Sequence, residues 1–495
     1  MFDLLLPTLA SIFSGSGILF LLLGIGLGIV FGVLPGLGGA QVIALLIPVT
    51  FTLEPAAAIL MMIGAMGATT TAGSITSILI NTPGTPGSAA TTFDGFPLTR
   101  QGKSGLAIGA TVTASLLGAL ISVVILIALL PFGKYAVLAF SFPEYFMLAI
   151  MSLTVISSVS EGSYWKGLIA SVLGLMAASI GYDPVTGDLR YTLGIPYLYD
   201  GINIISVVVG LFAITEIIEI FIQKSTISQE QKQSHIKGLW EGVVACFKHF
   251  GLLFRSSLIG TAVGILPGIG GSVANFLSYG HAVQSAKDKE MFGKGDIRGV
   301  IAPEASNNAK DGGSLVPMLI FGIPGSVDTA VLLGALIIHG IEPGPLLMIN
   351  NPEVVVYLIL GLVLTNILVS AVIPFITAPL AKVVMIRGTI IAPVVLAIAL
   401  LGTYVTNGLL GDVVVALIFG VIGFVMKQTG FSRVCLVIAF VLSDLMQTNF
   451  HLTMNSFGVS GFFTRPLSLI LFIVAVLMLT FPFIKNRLKK RKVSA

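Results

Sequence analysis

The sequence predicts an all-α polytopic membrane protein whose chain folds as two inverted-topology repeats with broken or re-entrant helices. Three observations predict it. Of 495 residues, 55% are hydrophobic and only 10% charged, with a mean hydropathy of +1.02, where a soluble domain carries roughly 25% charged residues. An apolar run breaks twice on nearly the same phrase, GIVFGVLPGLGG at 28–39 and GTAVGILPGIGG at 260–271. A second break follows each copy, AGSITSILINTPG at 72–84 and GGSLVPMLIFGIPG at 312–325. Paired Gly/Pro interruptions at matching places in two hydrophobic halves are the mark of an internally repeated transporter.

Stretches long enough to span fall at 18–34, 55–80, 104–131, 135–159, 164–181 and 203–222 in the first half. In the second they fall at 256–286 (broken), 312–340 (broken), 353–377, 389–407, 412–426, 431–446 and 466–484. At about 20 residues per span, with broken segments counted singly, this is about 12 spans. The chain divides into a first membrane half (1–222), a cytoplasmic connection (223–255), a second membrane half (256–484) and a basic tail (485–495). Residues 1–17 lack the basic region of a cleavable signal, so the first span acts as its own insertion signal.

Charge placement sets orientation. The tail carries Lys485, Arg487, Lys489, Lys490, Arg491 and Lys492, which puts the C-terminus in the cytoplasm; beside a final span such a run signals topology and not nucleic-acid binding. The basic segments 223–255 and 287–311 read as cytoplasmic, the acidic segments 182–203 and 340–353 as outside. Connections that follow equivalent motifs change side: Arg100 and Lys103 follow the first PG break, whereas HGIEPG at 339–344 follows the second. This opposition is what makes the repeats inverted.

Chemistry concentrates at the breaks. Backbone at bilayer depth is tolerated unpaired only where protein or water covers it. A half-helix end there presents N–H groups that suit a carboxylate. Pro35 with Gly36, Gly38 and Gly39, and Pro267 with Gly268, Gly270 and Gly271, allow positive φ and close approach. The substrate-binding candidates are these glycines with Ser74, Thr82, Pro83 and Gly84 in the first half. Asn307, Asn308, Ser314, Pro324, Gly325 and Ser326 join them from the second. Hydroxyl and amide groups donate to carboxylate oxygens, and their own oxygens suit Na⁺; Thr71 and Asn275 are the candidate Na⁺ neighbours. The run Pro303-Glu304-Ala305-Ser306-Asn307-Asn308 stands out, its bland alternative being a polar cytoplasmic loop. No Arg or Lys interrupts the apolar core of either broken segment, and Lys310 is the nearest base. Glu216 and Glu219 are expected to snorkel or to pair with Lys224; Asp444 and His451 are expected to serve structure, the alternative being part of a proton path.

Other classes fare poorly. No HExxH, Walker A, nucleophile elbow or Cys/His cluster is present, so an enzyme is not indicated, and ATP-driven transport needs a separate ATPase. Cys246 and Cys435 lie far apart and suggest neither disulfide nor metal site. No cofactor is implied beyond a coupling ion, Na⁺ or H⁺. An anion channel, or a carrier working without a binding protein, is the alternative reading.

Five ordered segments carry a resemblance: GVLPGLGG (32–39), NTPGTPGS (81–88) with DGFPLTRQGKSGLAIG after it, GILPGIGG (264–271), IAPEASNNAKDGGSLVPMLIFGIPGS (301–326) and LLGALIIHGIEPGPLL (332–347). From about residue 15 to 480 the chain resembles the large membrane subunit of the tripartite tricarboxylate transporters, the TctA family. The resemblance implies a secondary carrier of the bacterial inner membrane, driven by an ion gradient. It also implies two partners, a small four-helix membrane subunit and a periplasmic solute-binding protein, and a carboxylate-type substrate. Which solute does not follow.

Overall fold

The structure is a computed structural model describing residues 2–34, 38–159, 164–223, 238–266, 271–341, 343–344, 347–383 and 388–493. It is helical almost throughout. The first half contains α1 (Phe2–Ser14), α2 (Gly17–Gly32), α3 (Gly39–Thr50), α4 (Pro55–Ile80), a 3₁₀ turn (Pro86–Ser88), α5 (Thr92–Arg100), α6 (Ser104–Ala139), α7 (Phe142–Val159) and α8 (Tyr164–Ala178). A short hairpin pairs β1 (Gly181–Tyr182) with β2 (Leu189–Arg190). Then α9 (Ile204–Val208) passes through a π turn (Val209–Ile214) into α10 (Thr215–Gln223). The second half contains α11 (Leu239–Lys248), α12 (Phe250–Ile265), α13 (Gly271–Ser285), α14 (Arg298–Phe321), α15 (Val327–Ile338) and α16 (Leu347–Asn350). It continues with α17 (Pro352–Val383), α18 (Gly388–Asn407), α19 (Leu410–Thr429), α20 (Arg433–Phe457), α21 (Gly461–Thr464) and α22 (Pro466–Val493).

Among the described residues, five helices are long and apolar enough to cross a membrane, or up to seven if each bent pair counts as one span. The bent pairs are α1–α2, at 75°, and α11–α12, at 81°. Five shorter apolar helices, α3 and α15 among them, account for part of the difference from the sequence count. Where the sequence separates spans at 132–134, α6 runs on to Ala139 through Pro131. The 287–311 segment divides similarly: Arg298 onward belongs to a continuous buried helix, so Lys310 is a core residue and not part of a loop.

Local chemistry sets the ends of the central helices. Pro55 opens α4, where its missing N–H costs nothing. Asn81 closes α4 at φ 57° and Gly322 closes α14 at φ 72°, both left-handed C-caps. Beyond each break the chain is capped alike. Thr85 N–H donates to Ser88 Oγ at 3.3 Å, and Ser326 N–H to Thr329 Oγ1 at 2.9 Å.

Equivalent contacts recur in the two halves at fixed spacings. A Cβ on Gly28 would come within 2.5 Å of the Ala65 carbonyl oxygen, and one on Gly260 within 2.5 Å of the Ser306 oxygen. Gly32 meets the Thr69 backbone and Gly264 that of Lys310. Thus α2 crosses α4 as α12 crosses α14, along small-residue seams that let backbones nearly touch. The long helices then cross over: α6 of the first half lies along α14, and α17 of the second along α4.

Ion pairs tie the periphery. Glu216 pairs with Lys427 at 2.9 Å and Arg433 at 3.1 Å, and Glu219 pairs with Lys427. The expected partner Lys224 lies outside the described residues; α19 and α20, distant in sequence, supply the cations instead. In the hairpin, Asp183 accepts from Val185 and Thr186 N–H and pairs with Arg190 at 2.8 Å. Those two N–H groups first, and Arg190 after them, hold its carboxyl below the usual carboxylate range.

Candidate functional site

The two broken units meet where α4 touches α14. Every residue of α4 from Ala57 to Leu79 is buried in the protein, so its hydroxyls face neighbours and not lipid. On α14, Glu304, Asn307, Asn308, Asp311 and Ser314 follow one another at spacings of three, one, three and three residues, which lays them along one side of the helix. All five are at most 1% exposed. The run 303–308 is therefore a buried helical stripe and not a loop.

Asparagines stitch the stripe to both halves. Asn308 Nδ2 donates to Thr71 Oγ1 at 2.9 Å on α4 and to Asn366 Oδ1 at 2.7 Å on α17. Asn307 Nδ2 donates to the Thr70 carbonyl at 3.3 Å, while its Oδ1 accepts from Asn275 Nδ2 at 3.0 Å. The same Asn275 amide donates to the Gly87 carbonyl beyond the first break. The side-chain oxygens Asn275 Oδ1 and Asn308 Oδ1 are buried without a hydrogen-bond partner. Acceptors of this kind suit a cation or a donor-bearing ligand.

Next to the amides lies a charged cluster. Lys310 Nζ pairs with Asp311 Oδ1 at 2.5 Å and reaches Asp328 Oδ2 at 3.7 Å across the second break. Thr70 Oγ1 donates to Asp311 Oδ2 at 3.2 Å. The Asp328 carboxylate lies against Gly39, its Oδ1 2.9 Å from where a Cβ would stand. Gly39 opens α3, so this carboxylate occupies a helix N-terminus, the place that an anion favours. A buried base with two acids around it contrasts with the sequence expectation that bases are absent from the broken cores.

The predicted residues divide accordingly. Asn307, Asn308, Thr71 and Asn275 come together in the amide network. Ser74 lies beside Glu304. Gly39 meets Asp328. Gly38 caps α3 with φ −82°, so close approach and not positive φ explains the glycines there. Gly84 and Gly325 are likewise absent from the left-handed residues; Gly322 takes that role. Gly271 opens α13. Other hydroxyls serve their own backbone: Ser314 donates to the Asp311 carbonyl, Thr82 to that of Ile80, and Ser326 accepts from Thr329 N–H. Pro324 and Gly325 form the buried second break, and Pro83 its partly buried counterpart. Gly36, Gly268 and Gly270 lie outside the described residues. Sequence reasoning missed Asp311, Asp328, Asn366 and Ser115. An isolated amide inside LGLVLTNILVSAV was the available signal for Asn366.

The model of the tripartite tricarboxylate transporter TctA family matches residues 18–438. The chain is 33% identical over 435 residues to an uncharacterized 52.8 kDa protein in the TAR-I ttuC' 3' region of Agrobacterium vitis, covering 87% of this chain and 86% of that one. It is 30% identical over 237 residues to an uncharacterized protein in the TAR-II ttuC' 3' region of the same organism, covering 46% of this chain and 96% of that one. No solved structure matches. The chain is thus a multi-pass membrane protein that belongs to the tripartite tricarboxylate transporter TctA family.

Proposed function

We propose that the chain is the large permease subunit of a binding-protein-dependent carrier that takes up a carboxylate-type anion across the bacterial inner membrane, driven by an ion gradient. The observation that carries this reading is the meeting of two broken helical units on one enclosed cluster of amides, hydroxyls and a single buried lysine. Each unit has a half-helix starting at its break, α3 in the first and α13 in the second. An entering carboxylate takes the place of the Asp328 carboxylate at the start of α3 and draws on Lys310 and the Asn307 and Asn308 amides. Asn275 Oδ1, Asn308 Oδ1 and Thr71 are the oxygens on offer to Na⁺, should Na⁺ be the coupling ion in place of H⁺.

In this reading about 12 spans form two inverted repeats, which rock about the site to open it alternately to each side. The C-terminal tail faces the cytoplasm. The periplasmic binding protein delivers solute to the acidic outer segments, and a small four-helix subunit packs beside the chain in the lipid. Enclosure of the cluster favours a carrier over an anion channel, which keeps a continuous path.

The test is uptake of radiolabelled acetate, succinate and citrate, as mono-, di- and tricarboxylate, by cells making all three components. Saturable, gradient-dependent accumulation that collapses without the binding protein is expected. Gradient-independent flux would identify a channel, and full accumulation without the binding protein a self-sufficient carrier.

A further inference from the structure

The chain departs from its own internal repetition around Glu304. Ala65 and Ser306, and Thr69 and Lys310, hold equivalent contacts at a spacing of 241 residues. At that spacing the partner of Glu304 is Ile63, and the partners of Ser74, Thr91 and Ser115 are Leu315, Leu332 and Val356. Four apolar side chains, each fully or nearly fully buried in the hydrophobic core, stand at the equivalent positions, Ile63 from the first half and the other three from the second, where Glu304 of the second half is buried among hydroxyls of the first. Packing alone had a solution without the acid, and the chain uses it at the equivalent place.

Glu304 is wholly enclosed. Thr91 Oγ1 donates to its Oε1, Ser115 Oγ donates to Oε2 at 3.3 Å, and the Ser74 hydroxyl lies beside it. Among the described residues no cation touches it. Three other buried acids have a cation, Glu144 with Arg465 at 2.6 Å, Glu216 with Lys427 and Arg433, and Asp311 with Lys310, while Asp94 and Asp412 draw on N–H as well as hydroxyl donors. A bare carboxylate is costly to bury when hydroxyls alone surround it, and a proton removes that cost.

Its position along α14 suits transit. Glu304 lies six residues, or about 9 Å of helix, inward of Arg298. One turn further in are Asn307 and Asn308. Toward the surface, Thr91 is followed one turn along the chain by Asp94, which accepts from Tyr279 Oη at 2.9 Å and from Gly295 and Asp296 N–H. The charged and titratable groups on the surrounding elements are Asp94 and Arg100 on α5, Arg255 on α12, and Tyr279 and His281 on α13. Lys134 and Tyr135 toward the far end of α6, Arg298, Lys310 and Asp311 on α14 and Asp328 on α15 complete the set; α4 carries none. Among the described residues none of these bonds Glu304.

We propose that Glu304 is the proton-coupling residue of the carrier, unloaded toward the 287–297 side by way of Thr91 and Asp94. This rests on the transport reading given above. In the step, a hydronium ion from the outer side gives its proton to a Glu304 carboxylate oxygen, forming an O–H bond and leaving water. The reverse transfer, to water on the 287–297 side after the carrier has turned, returns the anion.

Infrared difference spectroscopy on the purified full-length chain in lipid tests the proton site without any solute. Stepping the buffer from acid to alkaline pH should remove a protonated-carboxyl carbonyl band that Glu304→Gln lacks at every pH. Thr91→Val with Ser115→Ala, which keeps the acid, should shift the pH at which the band disappears. Identical band sets in wild type and Glu304→Gln would overturn the proposal, and so would an unshifted transition in the double variant should the glutamine variant fail to fold. The coupling is read in cells making all three components, with the labelled acetate, succinate and citrate. Glu304→Gln should retain exchange of label across the membrane but lose about tenfold in accumulation per unit of imposed pH difference, the worth of one coupled proton. Undiminished pH-driven accumulation would overturn the coupling role. Absence of any transport by the wild type would instead reject the carrier reading, and the spectroscopic result would then stand on its own.

Discussion

Gly84 and Gly325, 241 residues apart, occupy one and the same kind of niche. A Cβ on Gly84 would stand 2.2 Å from the Gly32 carbonyl oxygen and 2.7 Å from the Gly73 Cα. On Gly325 it would stand 2.4 Å from the Gly264 oxygen and 2.7 Å from the Ser314 Cα. Each break is clamped between the end of one helix and the middle of another, with no room for a methyl group.

Gly84→Ala and Gly325→Ala should therefore each lower stability by at least about 1–3 kcal/mol, the usual range for overpacking a tight interior. Gly26→Ala, with nothing within 4 Å of its Cβ position, is the control. Thermal unfolding in detergent checks this; alanine at either break unfolding with the control would show that the clamp is loose.

Lys310→Met leaves Asp311 buried beside Asp328 without a cation. Removing one partner of a buried pair costs about 3–5 kcal/mol, whereas replacing both by apolar groups is far milder. Lys310→Met with Asp311→Leu should then recover most of the lost stability while transport stays absent. A double variant no more stable than the single one would mean that Lys310 answers chiefly to Asp328.

Asn308→Ala removes donors to both Thr71 and Asn366. Leaving the Asn366 oxygen unpaired in the core should cost about 1–3 kcal/mol. Asn308→Ala and Asn366→Ala should be non-additive in a double-mutant cycle, by at least about 0.5 kcal/mol. Additive losses in thermal unfolding would separate the two side chains.

For topology, cysteines at Lys103 and Asn350, both exposed, in a background lacking the buried Cys246 and Cys435, should label from opposite sides of the membrane. Gly344, in the same 340–353 segment as Asn350, is a poor reporter because it is packed on Gly322 at φ 107°. Labelling of both cysteines from outside intact cells would remove the inversion.

Much of the architecture was legible because glycine and proline punctuate it. The 232-residue repeat of the first break and the ends of α4 could be read directly. The second break was readable only in outline. In sequence, Gly73-Ser74 aligns with Gly313-Ser314, yet in space Gly73 corresponds to Ser314, one residue on. The amide network was half visible: Asn307 and Asn308 stand out in an apolar chain, but nothing local tells that Asn366 and Asn275 approach from other helices. Lys310 and Asp311 were hidden by the rule that charges mark loops. That rule fails when opposite charges are adjacent and a third residue, Asp328, comes from beyond a break. The pairing of Glu216 with Lys427 and Arg433 was hidden for the same reason, since local sequence offered only Lys224.

The crossing of α6 onto α14 and of α17 onto α4 has a consequence for biosynthesis. The flank of α4 is complete only when α17 arrives, about 270 residues after α4 ends. At ~5–20 residues per second of synthesis that is an interval of roughly 15 to 55 s. Throughout it, the threonines and serines of α4 lack their later neighbours and must be sheltered by the insertion machinery. A ribosome that stalls midway leaves a fragment with polar flanks turned to lipid, a ready target for membrane quality-control proteolysis.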